Sequence, residues 1–327
     1  MSTKKYILLM ILLLSTLITM TSNNWIGMWM GMEINLMSFI PMIYDKQDKK
    51  SSQSMMIYFL TQSIGSICML FAILLNNFIM YNLNEEISQL ILTISLMIKL
   101  GSAPFHMWLP EMMTNLNWKN AMLLMTWQKI APMIILSNNI NKSIFLFIMM
   151  STFVGAIGAL NHVSLRKIMA YSSINHLSWM MMLMMMKNKW LMYLSIYSII
   201  ILMMFIMINK KNILFINQLT KNSMTTIEKI TITTLMLSMG GLPPFTGFLP
   251  KWLVIQSMMN SSMWLLLTFM VMMSLITLFY YIRMMYPLIM IQNMKMKWMN
   301  YMPHNKTTLM ILMGNVMLPT MLMLPMF

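Results

Sequence analysis

The sequence predicts an all-α polytopic membrane protein, and three observations support this prediction. The 327 residues are 59% hydrophobic and only 9% charged, whereas soluble domains average about 25% charged residues. Apolar stretches long enough to span a bilayer as a helix recur from one end of the chain to the other. Most basic residues lie in short segments between these stretches. Because only helices satisfy their own backbone groups in such runs, we expect one transmembrane domain over residues 1–327.

About 11 apolar segments are candidate transmembrane helices. They cover approximately residues 6–22, 25–44, 55–80, 87–109, 120–137, 143–160, 168–186, 190–208, 230–258, 263–286 and 307–326. With this number of spans, most loop lysines and arginines fall on the same side of the membrane as the N-terminus. The basic side normally remains in the compartment where the chain is synthesised, so we expect the N-terminus there.

Composition excludes several classes of protein. A single cysteine, Cys68, rules out a disulfide framework and a cysteine-ligated metal cluster. The net charge of +15 can indicate nucleic-acid binding, but its location between apolar spans favours a topology signal, so no nucleic-acid partner is expected. The 54 methionines, together with abundant Lys, Ile and Asn, indicate A- and T-rich codons and a mitochondrial genetic code. We interpret the methionines as flexible apolar packing residues rather than metal ligands.

Two similar stretches interrupt predicted spans 140 residues apart. They read "GSAPFHMWLPE" (residues 101–111) and "GLPPFTGFLPK" (residues 241–251). Proline removes a backbone donor and clashes with the preceding turn, so Gly–Pro combinations break helices. The helix-breaking residues are Gly101 and Pro104 in the first stretch and Gly241, Pro243 and Pro244 in the second. Each stretch therefore predicts a broken helix, although a simple proline kink for packing is the alternative.

The orientation of the two broken helices predicts internal symmetry. The first lies in the fourth span and the second in the ninth, and these spans cross the membrane in opposite directions. Opposite orientation of a shared motif is typical of inverted-topology repeats, whose broken helices carry ion sites. We therefore predict two inverted five-helix repeats, at about 6–137 and 143–286, and an extra C-terminal helix at about 307–326.

Four ionisable residues lie inside predicted spans: Glu33, Lys99, Lys129 and Lys251. A charge at the bilayer centre costs about 2.5–3.5 kcal/mol on insertion scales, and such residues usually mark ion or proton pathways. Burial favours the neutral form of a lysine, and an approaching carboxylate favours its charged form. A Lys–Glu pair can therefore act as a proton switch. We therefore predict a proton relay. The alternative is that each side chain snorkels to the membrane interface.

Three further basic residues are candidates for the same relay. His176 lies in the seventh span, His106 lies in the first broken element, and Lys167 stands at the mouth of the seventh span. A histidine relays protons near neutral pH, but a neutral packing role is an open alternative for both histidines. Lys167 is expected mainly to orient its helix. The sequence has no dinucleotide fingerprint, iron–sulfur cysteine set or clear haem histidine pair, so neither a cofactor nor a metal is expected.

Several motifs carry a family resemblance. The segments are "NNWIGMWMGMEINLMSFIPMI", "KLGSAPFHMWLPEM", "TWQKIAP", "LRKIMAYSSINHLSWM" and "GGLPPFTGFLPKW". From about residue 23 to 285 the chain resembles the antiporter-like membrane subunits of NADH:ubiquinone oxidoreductase, respiratory complex I. The resemblance implies that Glu33 is the channel glutamate of the family. It also implies that Lys99, Lys129 and Lys251 are its lysines and that His176 belongs to its central hydrophilic axis.

The resemblance also implies a setting for the chain. It implies proton translocation across the mitochondrial inner membrane, with the N-terminus in the matrix and no redox catalysis in this chain. NADH, FMN, iron–sulfur clusters and ubiquinone are then expected in partner subunits. Expected partners are other complex I membrane-arm subunits and the lipid bilayer, with cardiolipin as a candidate lipid. Larger family members carry additional helices before the first repeat. In this chain, a neighbouring subunit or lipid is expected to cover the surface that those helices would cover.

Two rival functions fit the same motifs. A free-standing cation/proton antiporter would share the broken-helix lysines. A non-pumping scaffold subunit of the membrane arm would retain the charges without using them.

Overall fold

A computed structural model describes residues 3–44, 49–78, 85–186, 189–221, 225–294 and 306–317. The regular structure of these residues is helical, and their single β-type contact is an isolated antiparallel bridge between Ser164 and Phe215. The prediction of an all-helical chain is therefore confirmed. The part of the last predicted span beyond residue 317 lies outside the described residues.

The chain forms two compact units, Met1–Ser151 and Thr152–Phe327. Unit 1 contains α1 to α7 and most of α8. These helices are α1 Thr3–Thr21, α2 Trp25–Ile43, α3 Lys49–Phe78, α4 Glu85–Leu100, α5 Trp108–Asn115, α6 Trp118–Met125, α7 Ile130–Asn138 and α8 Ile144–Ile157. Within unit 1, α2 packs between α1 and α3, and α3 also packs against α4 and α5.

Unit 2 contains the remaining helices. They are α9 Leu165–Met185, α10 Trp190–Lys211, α11 Ile216–Lys221, α12 Thr226–Gly240, α13 Phe248–Asn260, α14 Trp264–Met294 and α15 Lys306–Val316. Helix α12 packs against α10, α14 and α15, and α13 packs against α9, α10 and α14. The relation of the two units to the predicted inverted repeats stays a prediction.

Five of the described helices are long and apolar enough to cross a membrane. They span Thr3–Thr21, Trp25–Ile43, Lys49–Asn76, Trp190–Lys211 and Trp264–Met290. The predicted spans 87–109 and 230–258 are each divided into two shorter helices by the predicted break. The count of 11 spans stays a prediction.

Both breaks begin at a glycine in the left-handed region. Gly101 has φ of 70° and Gly241 has φ of 77°, which L side chains adopt at a cost. After the first break the chain folds back, and the indole Nε1 of Trp108 donates to the Ile98 carbonyl at 3.1 Å. After the second break Gly247 lies so close to α12 that a Cβ there would stand 1.8 Å from the Ser238 carbonyl oxygen. Glycine is therefore required at these turns by conformation or by space.

A third interruption lies within the predicted span 120–137, which was expected to be continuous. Helix α6 ends at Met125, residues Trp127–Lys129 form one 3₁₀ turn, and α7 begins at Ile130. Pro132 explains this interruption, because proline has no N–H and its ring clashes with the carbonyl four residues earlier, at Gln128.

Candidate functional site

Lys99 is buried in the last turn of α4, directly before the first break. Its side chain crosses Gly65 of α3, where a Cβ would lie 2.9 Å from Lys99 Cγ. Its carbonyl accepts a hydrogen bond from Gln62 Nε2 at 3.2 Å. The C-terminal end of a helix carries partial negative charge, so this position favours a cation.

A small polar cavity of about 30 Å³ lies beside Lys99 within unit 1. Its polar lining comes from Asn35, Tyr58, Gln62, Lys99 and Gln128. A volume of this size holds about two water molecules, and the lining groups can bind them. Lys99 is therefore buried from bulk solvent but faces a site that suits water.

A hydrogen-bonded chain of side chains forms one wall of this cavity. Gln128 Nε2 donates to Asn35 Oδ1 at 2.9 Å, and the Tyr58 hydroxyl donates to Gln128 Oε1 at 3.2 Å. The Tyr58 ring is fixed by edge-on contacts with Phe39 and Trp108. Asn35, Tyr58 and Gln128 were not predicted from the sequence. The 3₁₀ turn that presents Gln128 does have a sequence signal, Pro132.

Glu33 lies on α2 of the same unit and is half-buried. Its Oε1 atom is buried without a hydrogen-bond partner among the described residues. The carboxylate interacts electrostatically with Lys99, but the two side chains do not form a direct ion pair. Unit 1 therefore brings Glu33 and Lys99 within range of each other's charge.

Lys129 is buried at the end of the 3₁₀ turn, next to Gln128 in sequence. Lys129 is thus the third of the predicted relay lysines that lies at an interrupted helix. His106 lies within the first broken element, and its Nδ1 is 3.1 Å from the Pro104 carbonyl oxygen. That short contact within the turn is consistent with a packing role for His106.

Lys251 is buried in the first turn of α13, directly after the second break. Its Nζ atom donates to the Gly240 carbonyl oxygen at 2.7 Å, at the C-terminal end of α12. The ammonium group also lies 5.8 Å from the ring centroid of Trp179 on α9, a cation–π distance. Lys251 therefore does not reach an interface by snorkelling in this structure.

His176 lies on α9, one turn before Trp179, and is buried. Its Nδ1 atom is 2.8 Å from the Tyr193 hydroxyl, and its ring centroid is 4.8 Å from that of Tyr197. Tyr197 lies beside Ser173, and Tyr281 of α14 lies beside Ser172. Tyr193 and Tyr197 therefore contact His176 in the core of unit 2, and neither tyrosine was predicted from the sequence.

Lys167 lies in the first turn of α9, next to a basic loop. Arg283 of α14 donates to two carbonyls of that loop, from Nη1 to Leu160 and from Nη2 to His162, the latter at 2.9 Å. The His162 ring stacks on Tyr171 at 5.4 Å. Burial first, and then the charges of Lys167 and Arg283, lower the pKa of His162 below its ordinary value.

Each unit holds a buried lysine at a broken helix. Unit 1 combines Lys99 with Glu33 and the water-sized cavity, whereas unit 2 combines Lys251 with His176 through Trp179. No group of three or more His, Cys, Asp or Glu suited to a metal ion occurs among the described residues. Ionisable side chains held inside apolar helices can carry protons between them.

This fold and these sites define an antiporter-like membrane protein, in which broken helices hold ionisable side chains inside the bundle. The family model "NADH:quinone oxidoreductase/Mrp antiporter, TM" matches residues 22–277. The chain belongs to this family.

Curated relatives share sequence with most of the chain. It is 45% identical over 303 residues to "NADH-ubiquinone oxidoreductase chain 2" of Anopheles gambiae, covering 90% of this chain and 88% of the relative. It is 42% identical over 308 residues to the protein of the same name from Locusta migratoria, covering 92% and 90%. The resemblance inferred from the sequence motifs is confirmed.

Solved structures share the fold. A chain of respiratory complex I from Thermus thermophilus with bound aureothin matches with a TM-score of 0.86 at 18% identity, covering 99% of this chain and 79% of that one. A chain of the Mrp complex from Dietzia sp. DQ12-45-1b matches with a TM-score of 0.73 at 14% identity, covering 85% and 59%. Both similarities concern the fold alone.

Proposed function

We propose that this chain is the subunit 2 component of NADH:ubiquinone oxidoreductase, respiratory complex I, and takes part in proton translocation across the mitochondrial inner membrane. Its own residues carry protons, while NADH, FMN, iron–sulfur clusters and ubiquinone are bound by partner subunits. The N-terminus faces the matrix, and the lipid-facing surface includes a candidate contact for cardiolipin. The names of the relatives at 36–45% identity support this assignment.

The observation that carries the proton function is the hydrogen bond between Lys251 Nζ and the Gly240 carbonyl. A buried ammonium is costly, but the end of α12 offers it a free carbonyl and the negative end of the helix dipole. Burial favours the neutral amine. Because these opposing effects act on one group, a modest change in a nearby charge or in the geometry of the break can move a proton on or off Lys251.

Lys99 works by the same balance in unit 1. It stands in the last turn of α4, and the Glu33 carboxylate supplies the variable charge. The cavity bounded by Gln128, Asn35 and Tyr58 can hold the water that receives or delivers the proton. A change in the Glu33–Lys99 separation would then release a proton towards this cavity. In this proposal Lys129 extends the relay, and His176 serves in unit 2.

The rival functions differ from this proposal in what they require. The fold does not discriminate, because complex I and Mrp chains both share it. The sequence relatives favour the complex I assignment over a free-standing antiporter. A scaffold subunit would not need buried lysines at broken helices, since apolar residues would pack there at lower cost.

The experiment that tests the assignment uses mitochondria that contain this chain. Native gel separation with an antibody against the chain is expected to locate it in the band with NADH:ubiquinone oxidoreductase activity. In proteoliposomes that contain the protein of that band, the internal pH should change only when NADH and ubiquinone are supplied. Recovery of the chain outside that band, with sodium or potassium exchange in proteoliposomes, would contradict the proposal and support the antiporter.

A further inference from the structure

We propose that Asn315, on the C-terminal helix α15, is a positioning residue that holds the second broken element in the arrangement that sets Lys251 against α12. This inference rests on the proposed proton function of Lys251. Helix α15 lies outside both predicted repeats, and neither the sequence motifs nor the family resemblance gave it a role.

Two hydrogen bonds join Asn315 to one residue of the broken element. The Thr246 N–H donates to the Asn315 carbonyl oxygen at 3.1 Å, and the Thr246 hydroxyl donates to Asn315 Oδ1, also at 3.1 Å. Asn315 is only 1% exposed. Thr246 itself is half-buried, and the two hydrogen bonds restrain both its backbone and its side chain.

Thr246 transmits this restraint to the start of α13. Its carbonyl accepts a hydrogen bond from the Leu249 N–H at 3.3 Å, in the turn that opens α13. The next residue, Gly247, lies directly against the Ser238 carbonyl of α12 and has no room for even one added carbon. The break is therefore held by α15 on one side and by α12 on the other.

Lys251 lies in the first turn of α13, so its position depends on the same restraints. Its Nζ–Gly240 hydrogen bond spans the two sides of the break. If Thr246 moved, the start of α13 would move with it, and that hydrogen bond would lengthen. Asn315 acts on Lys251 through this short path and does not touch it.

The same helix provides a matched control for simple anchoring of α15. At its other end, Thr307 Oγ1 accepts a hydrogen bond of 2.7 Å from Lys210 Nζ on α10. This bond is exposed and distant in sequence from the broken element. Loss of this hydrogen bond should loosen α15 without altering the Asn315–Thr246 contact. A variant that lacks it therefore separates the positioning role of Asn315 from attachment of α15 to the rest of unit 2.

The test compares four variants of the chain within assembled complex I: Asn315→Ala, Thr246→Val, the double variant and Thr307→Ala. Amide hydrogen exchange is measured in peptides covering residues 241–251. Loss of one side-chain hydrogen bond of ordinary strength predicts about two- to tenfold faster exchange there in both single variants. The double variant is expected to exchange no faster than either single one, and Thr307→Ala is expected to match wild type. The number of protons pumped per NADH should fall in Asn315→Ala, Thr246→Val and the double variant, but not in Thr307→Ala.

Two patterns of acceleration would overturn the positioning role, and so would unchanged exchange in Thr246→Val. One is additive acceleration in the double variant, which would mean that the two side chains act independently. The other is equal acceleration in Thr307→Ala, which would mean that α15 only anchors. If Asn315→Ala prevents assembly, Thr246→Val still decides, because unchanged exchange in that variant contradicts the proposal. Lys251→Met is measured in parallel: unaltered pumping there refutes the proton function of Lys251, while the exchange data test Asn315 separately.

Discussion

The ammonium group of Lys251 donates a hydrogen bond of 2.7 Å to the carbonyl oxygen of Gly240, so a residue of α13 caps the end of α12. Lys99 reaches a similar environment by another route, since it lies within the last turn of the helix that breaks, α4. Both cations therefore stand where the helix dipole is negative and carbonyl groups lack helical partners. The breaks make sites for charge, which explains why helix-breaking residues and lysines occur together.

Replacement of Gly241 by alanine tests the geometry of the second site. The left-handed conformation, with φ of 77°, costs a side chain roughly 1–2 kcal/mol. The added Cβ would also lie 2.6 Å from Lys251 Cδ. We expect Gly241→Ala to displace Lys251 and to lower the number of protons pumped per NADH in sealed vesicles.

Gly240→Ala is the matched control for this variant. Gly240 is helical, and the nearest atom to an added Cβ is 3.8 Å away, an ordinary contact. We expect near-wild-type pumping from it. Equal pumping in Gly241→Ala and wild type would contradict the importance of the Lys251 position.

Gly65→Ala tests the first site without removing any charge. The added Cβ would lie 2.9 Å from Lys99 Cγ and 3.3 Å from the Ser95 carbonyl oxygen. Crowding in a packed interface typically costs about 1–3 kcal/mol. We expect the variant to assemble at a reduced level and to pump fewer protons per assembled complex. A change in assembly alone, with normal pumping per complex, would count against a functional requirement for the Lys99 geometry.

Tyr193→Phe tests the environment of His176. The change removes the hydroxyl at 2.8 Å from His176 Nδ1 and keeps the ring. Loss of a buried hydrogen bond costs about 0.5–1.5 kcal/mol. If His176 relays protons, the pH dependence of NADH-driven pumping is expected to shift in this variant. Tyr286→Phe, at an exposed position on the same unit, should leave the profile unchanged, and an unshifted profile in Tyr193→Phe would favour a packing role.

The loop between α8 and α9 is expected to respond to acid. The pKa of His162 is lowered by burial, Lys167 and Arg283, so the unfolded loop binds a proton more readily than the folded one. Protonation of His162 therefore does not destabilise the folded loop above the unfolded pKa of about 6.5. The stability of the loop falls as the pH drops below that value. Hydrogen exchange in residues 158–167, corrected for intrinsic pH effects, should accelerate between pH 7.5 and pH 5.5.

His162→Phe provides the control for this titration. The replacement keeps an aromatic ring to stack on Tyr171 but cannot bind a proton. We expect its loop to show no additional exchange at the lower pH. The same acceleration in the variant and wild type would assign the effect to another group.

Part of this architecture could be predicted because its signals are local. Apolar runs predict helices, and Gly101 and Gly241 with their following prolines predict the two breaks. Lys99 and Lys251 stood out because a charge in an apolar run is rare. Each of these predictions depends on a pattern within a single chain segment, and such local patterns can be read from the sequence.

The rest could not be predicted because it depends on contacts between distant segments. Tyr58 and Gln128 are 70 residues apart and form part of a cavity only after α3 and the 3₁₀ turn have packed. Neutral polar residues such as Gln128 and Asn315 also occur at many packing positions, so neither indicated a site. The interruption before α7 was the exception, since Pro132 provided a local signal.

The most direct test of the account is the number of protons pumped per NADH oxidised in sealed vesicles containing Lys99→Met. Lys50→Met, an exposed lysine at the start of α3, is the control for loss of positive charge. With assembly verified on a native gel, removal of a required proton carrier predicts a loss of coupled activity of at least about 100-fold. Wild-type oxidation and pumping in an assembled Lys99→Met complex would contradict the account and assign the buried lysine a structural role.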